Sequence, residues 1–396
     1  MVTVAEKMRA KQALTGAEAV AHAMRQIEPH VVAAYPITPQ TPIVEYFAQF
    51  VADGLVKTEM IPVESEHSAM SAVVGAAASG ARAMTATSAN GLALMHEVVY
   101  ITASMRLPVV MPVVNRALSG PINIHCDHSD SMAERDSGWI QLYAENNQEA
   151  YELTILAVRL AESEEVRLPV MVCLDGFILS HGVEPVEIYP DDQVKNFVGE
   201  AKPYYPLLDT SHPVTYGPID LYDYYFEHKR QQIEGMKGAK RLFPAIAQEF
   251  EKAFGKRYDF VERYRTDDAD CVIVALGSTN STIKYAVDWM REEGQKVGLL
   301  KLWTFRPFPK EEVRKALDGK KAVVVLDRAA SFGAEAPLYE AVKSSLYNAA
   351  HRPAMGSYIY GLGGRDIRPE DIRKAADNAL KGELNADEQM YLGLRE

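Results

Sequence analysis

The sequence predicts an α/β protein made of parallel sheets covered on both faces, arranged as two units in succession. Helical and apolar strand segments alternate through the first half of the chain, the pattern of a sheet buried on both sides. The alternation loosens near Ile188 and resumes near Cys271. A chain of 396 residues also exceeds one ordinary compact domain of about 100 to 200 residues.

Taken in order, Thr15 and Glu18 have capping-box spacing, so a helix is expected to about Ile27, where Pro29 stops it. Strands are expected at Val31–Ala34, Met60–Val63, Ala83–Thr87, Val109–Val114 and Val170–Leu174, with Ala-rich or amphipathic helices between them. From about Ile188 to Arg265 come Pro- and Tyr-rich stretches such as KPYYPLL and HPVTYGPIDLYDYY, then a charged helical run around Phe226–Phe254. This is too long for an ordinary loop and reads as a packed extension or interdomain arm. The second unit has expected strands at Cys271–Leu276, Val297–Lys301 and Ala322–Leu326, with a cap and helix over Ser278–Glu293. The expected division is therefore 1–187, 188–265 and 266–396.

Composition narrows the function. With 47% hydrophobic and 24% charged residues the chain can bury a sizeable core. A net charge of -12 without clustered Lys and Arg argues against a nucleic-acid partner. Cys126, Cys173 and Cys271 are odd in number and widely spaced, which fits a reduced cytoplasm better than a disulfide framework. They are also too few for an iron–sulfur cluster, which normally takes four thiolates, so any such electron acceptor must be carried by another chain. The start, MVTVAEKMRAKQ, lacks an apolar signal core, and the longest apolar run, Leu107–Val114, is too short to span a bilayer. A cytoplasmic protein without a membrane contact is expected.

In open parallel sheets ligands gather beyond the carboxyl ends of the strands. That rule selects YPITPQT, ESEHSA, TSANG and NRALSGPIN, all expected at one sheet edge. Pro36 and Pro39 stiffen the chain around Thr38, whose hydroxyl suits substrate hydrogen bonding or merely caps the turn. Ser65 can cap a helix whose first turn holds Glu66, a placement that the helix dipole alone would favour. Arg116 follows the apolar strand LPVVMPVV and should emerge among buried surroundings, where it needs either the carboxylate of a small oxoacid or an internal salt bridge. HCDHSD, His125–Asp130, crowds its potential ligands together without metal-site spacing and reads as a polar loop, so no metal is assigned to this chain. GLGGRD, Gly361–Asp366, lacks a Walker or Rossmann pattern and reads as a turn.

Together with GLALMHEV, RLPVVMPVVNR, GWIQLYAENNQEA, TFRPFP and GLGGRD, these segments resemble the alpha subunit of multi-subunit pyruvate:ferredoxin oxidoreductases, and the likeness covers nearly the whole chain. The resemblance implies a pyrimidine-type thiamine-diphosphate-binding domain followed by a smaller transketolase C-terminal-like α/β domain. It implies that Glu66 hydrogen-bonds the aminopyrimidine ring and that Thr38 and Arg116 contact pyruvate. Gln40 departs from the family pattern, in which serine is common there. No GDG segment followed by Asn some two dozen residues on, the magnesium-diphosphate motif, occurs in the sequence. The cofactor would thus be shared with a beta-type chain carrying Mg2+, with 4Fe–4S clusters on partner chains of beta, gamma and delta type. Coenzyme A would be the co-substrate and ferredoxin the electron acceptor. The same chemistry on 2-oxoisovalerate or 2-oxoglutarate, or a non-catalytic assembly role, are the alternatives.

Overall fold

The computed structural model describes residues 10–395, so most of the polar start lies outside the described residues. In chain order the strands are β1 Ala10–Thr15, β2 Val31–Ala34, β3 Glu59–Pro62, β4 Ala83–Met84, β5 Val110–Asn115, β6 Ile140–Tyr143, β7 Val170–Asp175 and β8 Val183–Ile188. They continue with β9 Val261–Tyr264, β10 Cys271–Ala275, β11 Val297–Leu302, β12 Thr304–Arg306, β13 Ala322–Asp327, β14 Ala354–Tyr360 and β15 Gln389–Leu392. The first sheet has seven strands in the order β12-β6-β7-β5-β4-β2-β3, and the second has six in the order β15-β14-β13-β10-β11-β9. Both are parallel except for one strand each: β12 runs antiparallel to β6, and β9 antiparallel to β11. β1 and β8 form a separate antiparallel pair.

The central strands β5 and β7 are buried at every residue. That is why they read as continuous apolar runs rather than alternating ones. The helix Gly16–Ile27 begins on the expected capping box, with the Thr15 hydroxyl accepting from the Glu18 amide and the Glu18 carboxylate accepting from the Thr15 amide. Its Ala17, Val20 and Met24 side of the helix joins the core beneath the first sheet. The helix Asn147–Ala161 is buried nearly all round because it is covered on nearly all sides, by the first sheet, by Gly16–Ile27 and by the long helix Tyr225–Phe254.

Several elements differ from expectation. β1, β6, β8, β9, β12, β14 and β15 were not expected, and β4 is shorter than Ala83–Thr87, continuing only as an isolated bridge from Thr87 to Val113. The stretch 188–265 is less loose than its composition suggests. β8 crosses the expected boundary at 187/188, an amphipathic helix occupies Asp191–Val198, and β9 belongs to the second sheet. Within the helix Tyr225–Phe254, Phe243, Ile246, Ala247, Phe250 and Phe254 are buried in the first core, so this half is packed as an extension would be. The irregular part before it leaves Ile219 and Tyr222 almost fully exposed. Among the described residues no helix is long and apolar enough to cross a membrane.

Two buried ionic contacts and one strand are among the links between the units. Lys301 on β11 is buried and pairs with Glu145 and Glu149 beyond β6. Asp175, the last residue of β7, accepts from His128 Nε2 at 2.7 Å, Arg328 Nη1 at 2.8 Å and the Ser278 amide at 3.1 Å. The HCDHSD stretch thus serves this junction, since Cys126, His128 and Asp175 are all buried together and Asp175 directs its oxygens to His128, Arg328 and Ser278. Burial alone would raise the Asp175 carboxyl, but His128, Arg328 and the Ser278 hydroxyl hold it well below its ordinary 3.8.

A depressed carboxyl contributes stability above its unfolded value and loses it as the pH falls below that value toward the folded one. The melting temperature is therefore expected to drop steeply on acidification below about pH 4. Asp175→Asn should lower the melting temperature at neutral pH and flatten that acid slope. A variant with an unaltered acid slope would show that the pair does not govern it.

Candidate active site

β3, β2, β4 and β5 lie side by side and parallel, so their carboxyl ends deliver the four segments to one edge of the sheet. In YPITPQT, Thr38 is exposed, while Pro39 and Gln40 behind it are buried. Gln40 Oε1 accepts from the Ile37 amide at 3.2 Å, closing the turn that presents Thr38, and the Thr38–Pro39 bond is cis. Thr38 does not cap this turn with its hydroxyl. The capping role falls to Gln40, whose larger side chain reaches back across the turn.

Arg116 sits just past β5 and is buried. Its Nε donates to the Asn123 carbonyl at 2.9 Å and its Nη1 donates to the Thr38 carbonyl at 2.9 Å. Both fix the plane of the guanidinium and join it to the Thr38 loop. The internal salt bridge weighed from sequence is not found: no carboxylate among the described residues lies within ion-pair distance of this guanidinium. With Nε and Nη1 held by carbonyls, Nη2 is left free among the described residues to donate to an anion.

Glu66 opens the helix Glu66–Ala78 and is buried. Ser65 performs the capping, its hydroxyl accepting from the Ser68 amide at 3.2 Å. The Glu66 carboxylate forms no hydrogen bond with the protein among the described residues, so capping does not explain it. It packs against the TSANG loop. A Cβ added to Gly91 would lie 2.7 Å from Glu66 Oε1 and 2.6 Å from Thr87 Oγ1, closer than real contacts allow. Gly91, within the short helix Ala89–Leu94, is therefore what lets this segment lie against the carboxylate. The Thr87 and Ser88 hydroxyls are buried without a partner, and Ala89 adopts a left-handed φ of 42° that a side-chain-bearing residue rarely takes. A carboxylate with open lone pairs among orphaned hydroxyls fits the polar edge of a nitrogen heterocycle.

The two halves of the site are joined by Asp130, a residue that sequence reasoning passed over inside HCDHSD. Its carboxylate accepts from the Ala89 amide at 3.0 Å, the Arg116 amide at 3.0 Å and Asn115 Nδ2 at 2.8 Å. One buried acid thereby sets the loop beside Glu66 and the loop bearing Arg116 relative to each other. Burial pushes its carboxyl up to about 6 despite these donors. Asn90 adds a second tie, accepting from the Ser119 amide and hydroxyl. Only the small residues of TSANG hinted at the Gly91 contact, and nothing in the sequence pointed to Asp130.

Family models place this two-unit α/β chain among thiamine-diphosphate-binding oxidoreductases. The model described as "Pyruvate flavodoxin/ferredoxin oxidoreductase, thiamine diP-bdg" matches residues 22–247. The model for pyruvate:ferredoxin oxidoreductase core domain II matches residues 269–372. The chain belongs to the pyruvate:ferredoxin oxidoreductase family, as a subunit of alpha type.

Among its relatives, the pyruvate synthase subunit PorA of Thermotoga maritima is 78% identical over 99% of this chain and 100% of its own length. The PorA of Methanocaldococcus jannaschii is 48% identical over 99% of this chain and 100% of its own. The ketoisovalerate oxidoreductase subunit VorA of Pyrococcus horikoshii is 44% identical over 96% of this chain and 98% of its own. The solved 2-oxoglutarate:ferredoxin oxidoreductase from Magnetococcus marinus shares the fold, with a TM-score of 0.73 at 20% identity over 95% of this chain. This chain spans 65% of that chain's length. A split-gene transketolase, an inactive tetramer, shares the fold more loosely, with a TM-score of 0.58 at 14% identity over 93% of this chain and 99% of its own.

Proposed function

We propose that this chain is the half of a pyruvate:ferredoxin oxidoreductase that holds the pyrimidine side of thiamine diphosphate and grips the 2-oxoacid. The complex would decarboxylate pyruvate oxidatively to acetyl-coenzyme A and carbon dioxide while reducing ferredoxin, and would run in reverse as a pyruvate synthase. The observation that carries this reading is Arg116, a buried guanidinium whose plane is fixed beside Thr38 and which has no carboxylate partner among the described residues. A small carboxylate would supply the missing charge through forked hydrogen bonds. Thr38 would hydrogen-bond the same substrate from the adjoining loop.

Thiamine diphosphate, when bound, supplies the carbon nucleophile for the 2-oxo group. Glu66 would hold the aminopyrimidine edge of the cofactor and share a proton with it at the carboxylate, with Gly91 allowing the TSANG loop to close on the pair. The unit up to about residue 187 would carry this work, the 188–265 stretch would brace it, and the C-terminal unit would complete the subunit. Mg2+, the diphosphate contacts and the 4Fe–4S clusters would come from partner chains of beta, gamma and delta type. Coenzyme A would be the acyl acceptor. The three buried, free cysteines suit a reducing cytoplasm.

The test is co-purification of the native complex and assay with pyruvate, 2-oxoisovalerate and 2-oxoglutarate, each with coenzyme A and a low-potential acceptor. Pyruvate should give the highest kcat/KM. Preference for 2-oxoisovalerate would transfer the chain to the branched-substrate class that VorA represents. The purified chain alone is expected to bind thiamine diphosphate weakly and independently of magnesium, because it supplies only one side of the cofactor site. Tight, magnesium-dependent binding in calorimetry would contradict the shared site.

A further inference from the structure

We infer that Asn123 is a positioning residue for the substrate arginine, and that the Gly361–Asp366 turn of the C-terminal unit is the anchor from which it works. This rests on the reading of Arg116 given above. Asn123 faces both ways: its carbonyl accepts from Arg116 Nε at 2.9 Å, while its side-chain Nδ2 donates to the Gly363 carbonyl at 3.0 Å. Its Oδ1 also accepts from the His125 amide at 2.7 Å, which closes the local turn.

An anchor is needed because the tip of this loop has no core of its own. No residue from Ser119 to His125 is buried, and Ile122 and Ile124 are exposed. Hydrogen bonds must do what packing does elsewhere. Within the loop the Ala117 amide donates to the His125 carbonyl at 3.0 Å and the Leu118 amide donates to Ser129 Oγ at 3.0 Å. Across the units the Gly364 amide donates to the Cys126 carbonyl at 2.6 Å and the Gly363 amide donates to Asp127 Oδ2 at 3.2 Å.

The glycines of GLGGRD are required by this docking. Gly363 has a φ of 60°, and a Cβ there would lie 2.4 Å from Asn123 Nδ2; Gly364 has a φ of 78°, and a Cβ there would lie 2.4 Å from His125 Cβ. The turn thus has neither the conformation nor the room for side chains, because the arginine-bearing loop rests on its backbone. The segment read as a turn is a bracket between the two sheets. It fixes the Asn123 carbonyl, which fixes the Arg116 guanidinium, whose remaining edge is offered to the carboxylate of the substrate.

The experiment uses the assembled complex and compares Asn123→Ala, Asn123→Ser, Arg116→Ala and the double variant Arg116→Ala/Asn123→Ala. Serine can keep the short bond to the His125 amide but is too short to reach Gly363. Both single Asn123 variants are expected to raise the KM for pyruvate about 5- to 20-fold, with the loss falling on KM more than on kcat. Exchange at the cofactor carbon, which Glu66 governs, should stay near wild type. In the Arg116→Ala background Asn123→Ala should add little, because the two act through one guanidinium. Wild-type KM in Asn123→Ser, or full additivity in the double variant, would overturn the inference. If Arg116→Ala itself leaves pyruvate dependence unchanged, the reading of Arg116 fails; a large Arg116→Ala effect with wild-type Asn123 variants removes only the bracket.

Discussion

Glu66→Gln is expected to slow hydrogen–deuterium exchange at the thiazolium carbon and pyruvate oxidation together, by about 100- to 10,000-fold, the usual cost of removing a proton-transfer group. Two functions could explain a glutamate at this helix start, and the substitution separates them. As a favourable charge at a helix N-terminus Glu66 would contribute at most about 1 kcal/mol, which glutamine of equal size would forfeit with little kinetic effect. The structure already assigns the capping to Ser65, and the Glu66 carboxylate lies instead against Gly91, with no room for a side chain there. Glutamine can fill that space but cannot share the proton. Folding and assembly should therefore survive while both rates fall. If both stay within a few-fold of wild type with the cofactor bound, Glu66 is a helix-start residue and nothing more.

Arg116→Ala should raise the pyruvate requirement sharply, since removing one partner of a buried charge pair costs on the order of 2 to 5 kcal/mol. Among the described residues the guanidinium has two carbonyl partners and no carboxylate, so the loss should appear chiefly when the oxoacid binds. Arg116→Lys sharpens the comparison. An ammonium restores the charge without the planar fork, so it should recover affinity only in part. An unchanged pyruvate dependence in Arg116→Ala would reassign the residue to holding the Thr38 and Asn123 loops together.

The parts of the site that could be read from sequence were those that obey local rules. Parallel strands read as apolar runs, and ligand-facing loops follow their carboxyl ends, so Thr38, Glu66 and Arg116 could be picked from short segments near β2, β3 and β5. Asp130 could not, because its partners are backbone amides 14 and 41 residues away and an acid in a polar loop carries no mark of them. The Arg116 alternatives were undecidable for the same reason: whether a carboxylate lies near a guanidinium depends on long-range packing. β1 and β8 escaped notice because they pair only with each other at the edge of the fold, where Lys11, Glu184 and Glu187 break any apolar run. HCDHSD, read as a polar loop, is largely buried and runs into the short helix Ser129–Ala133, and GLGGRD, read as a turn, holds a single 3-10 turn at Leu362–Gly364. Their contact with each other, across more than 230 positions of sequence, was beyond any local pattern.

The strand β12 ties the order of synthesis to the integrity of the first sheet. It lies beyond β9, β10 and β11 in the chain, yet it pairs with β6 and closes that end of the first sheet. A nascent chain can lay down β2 to β7 but must leave the outer side of β6 unpaired until Thr304–Arg306 has emerged and crossed from the second unit. Unpaired edges of that kind are templates for pairing with another chain. A gene truncated anywhere in the 188–265 stretch would yield a fragment with a permanently open β-edge, prone to self-association, so the two units are one inheritance that cannot be divided at the place where composition suggests a cut.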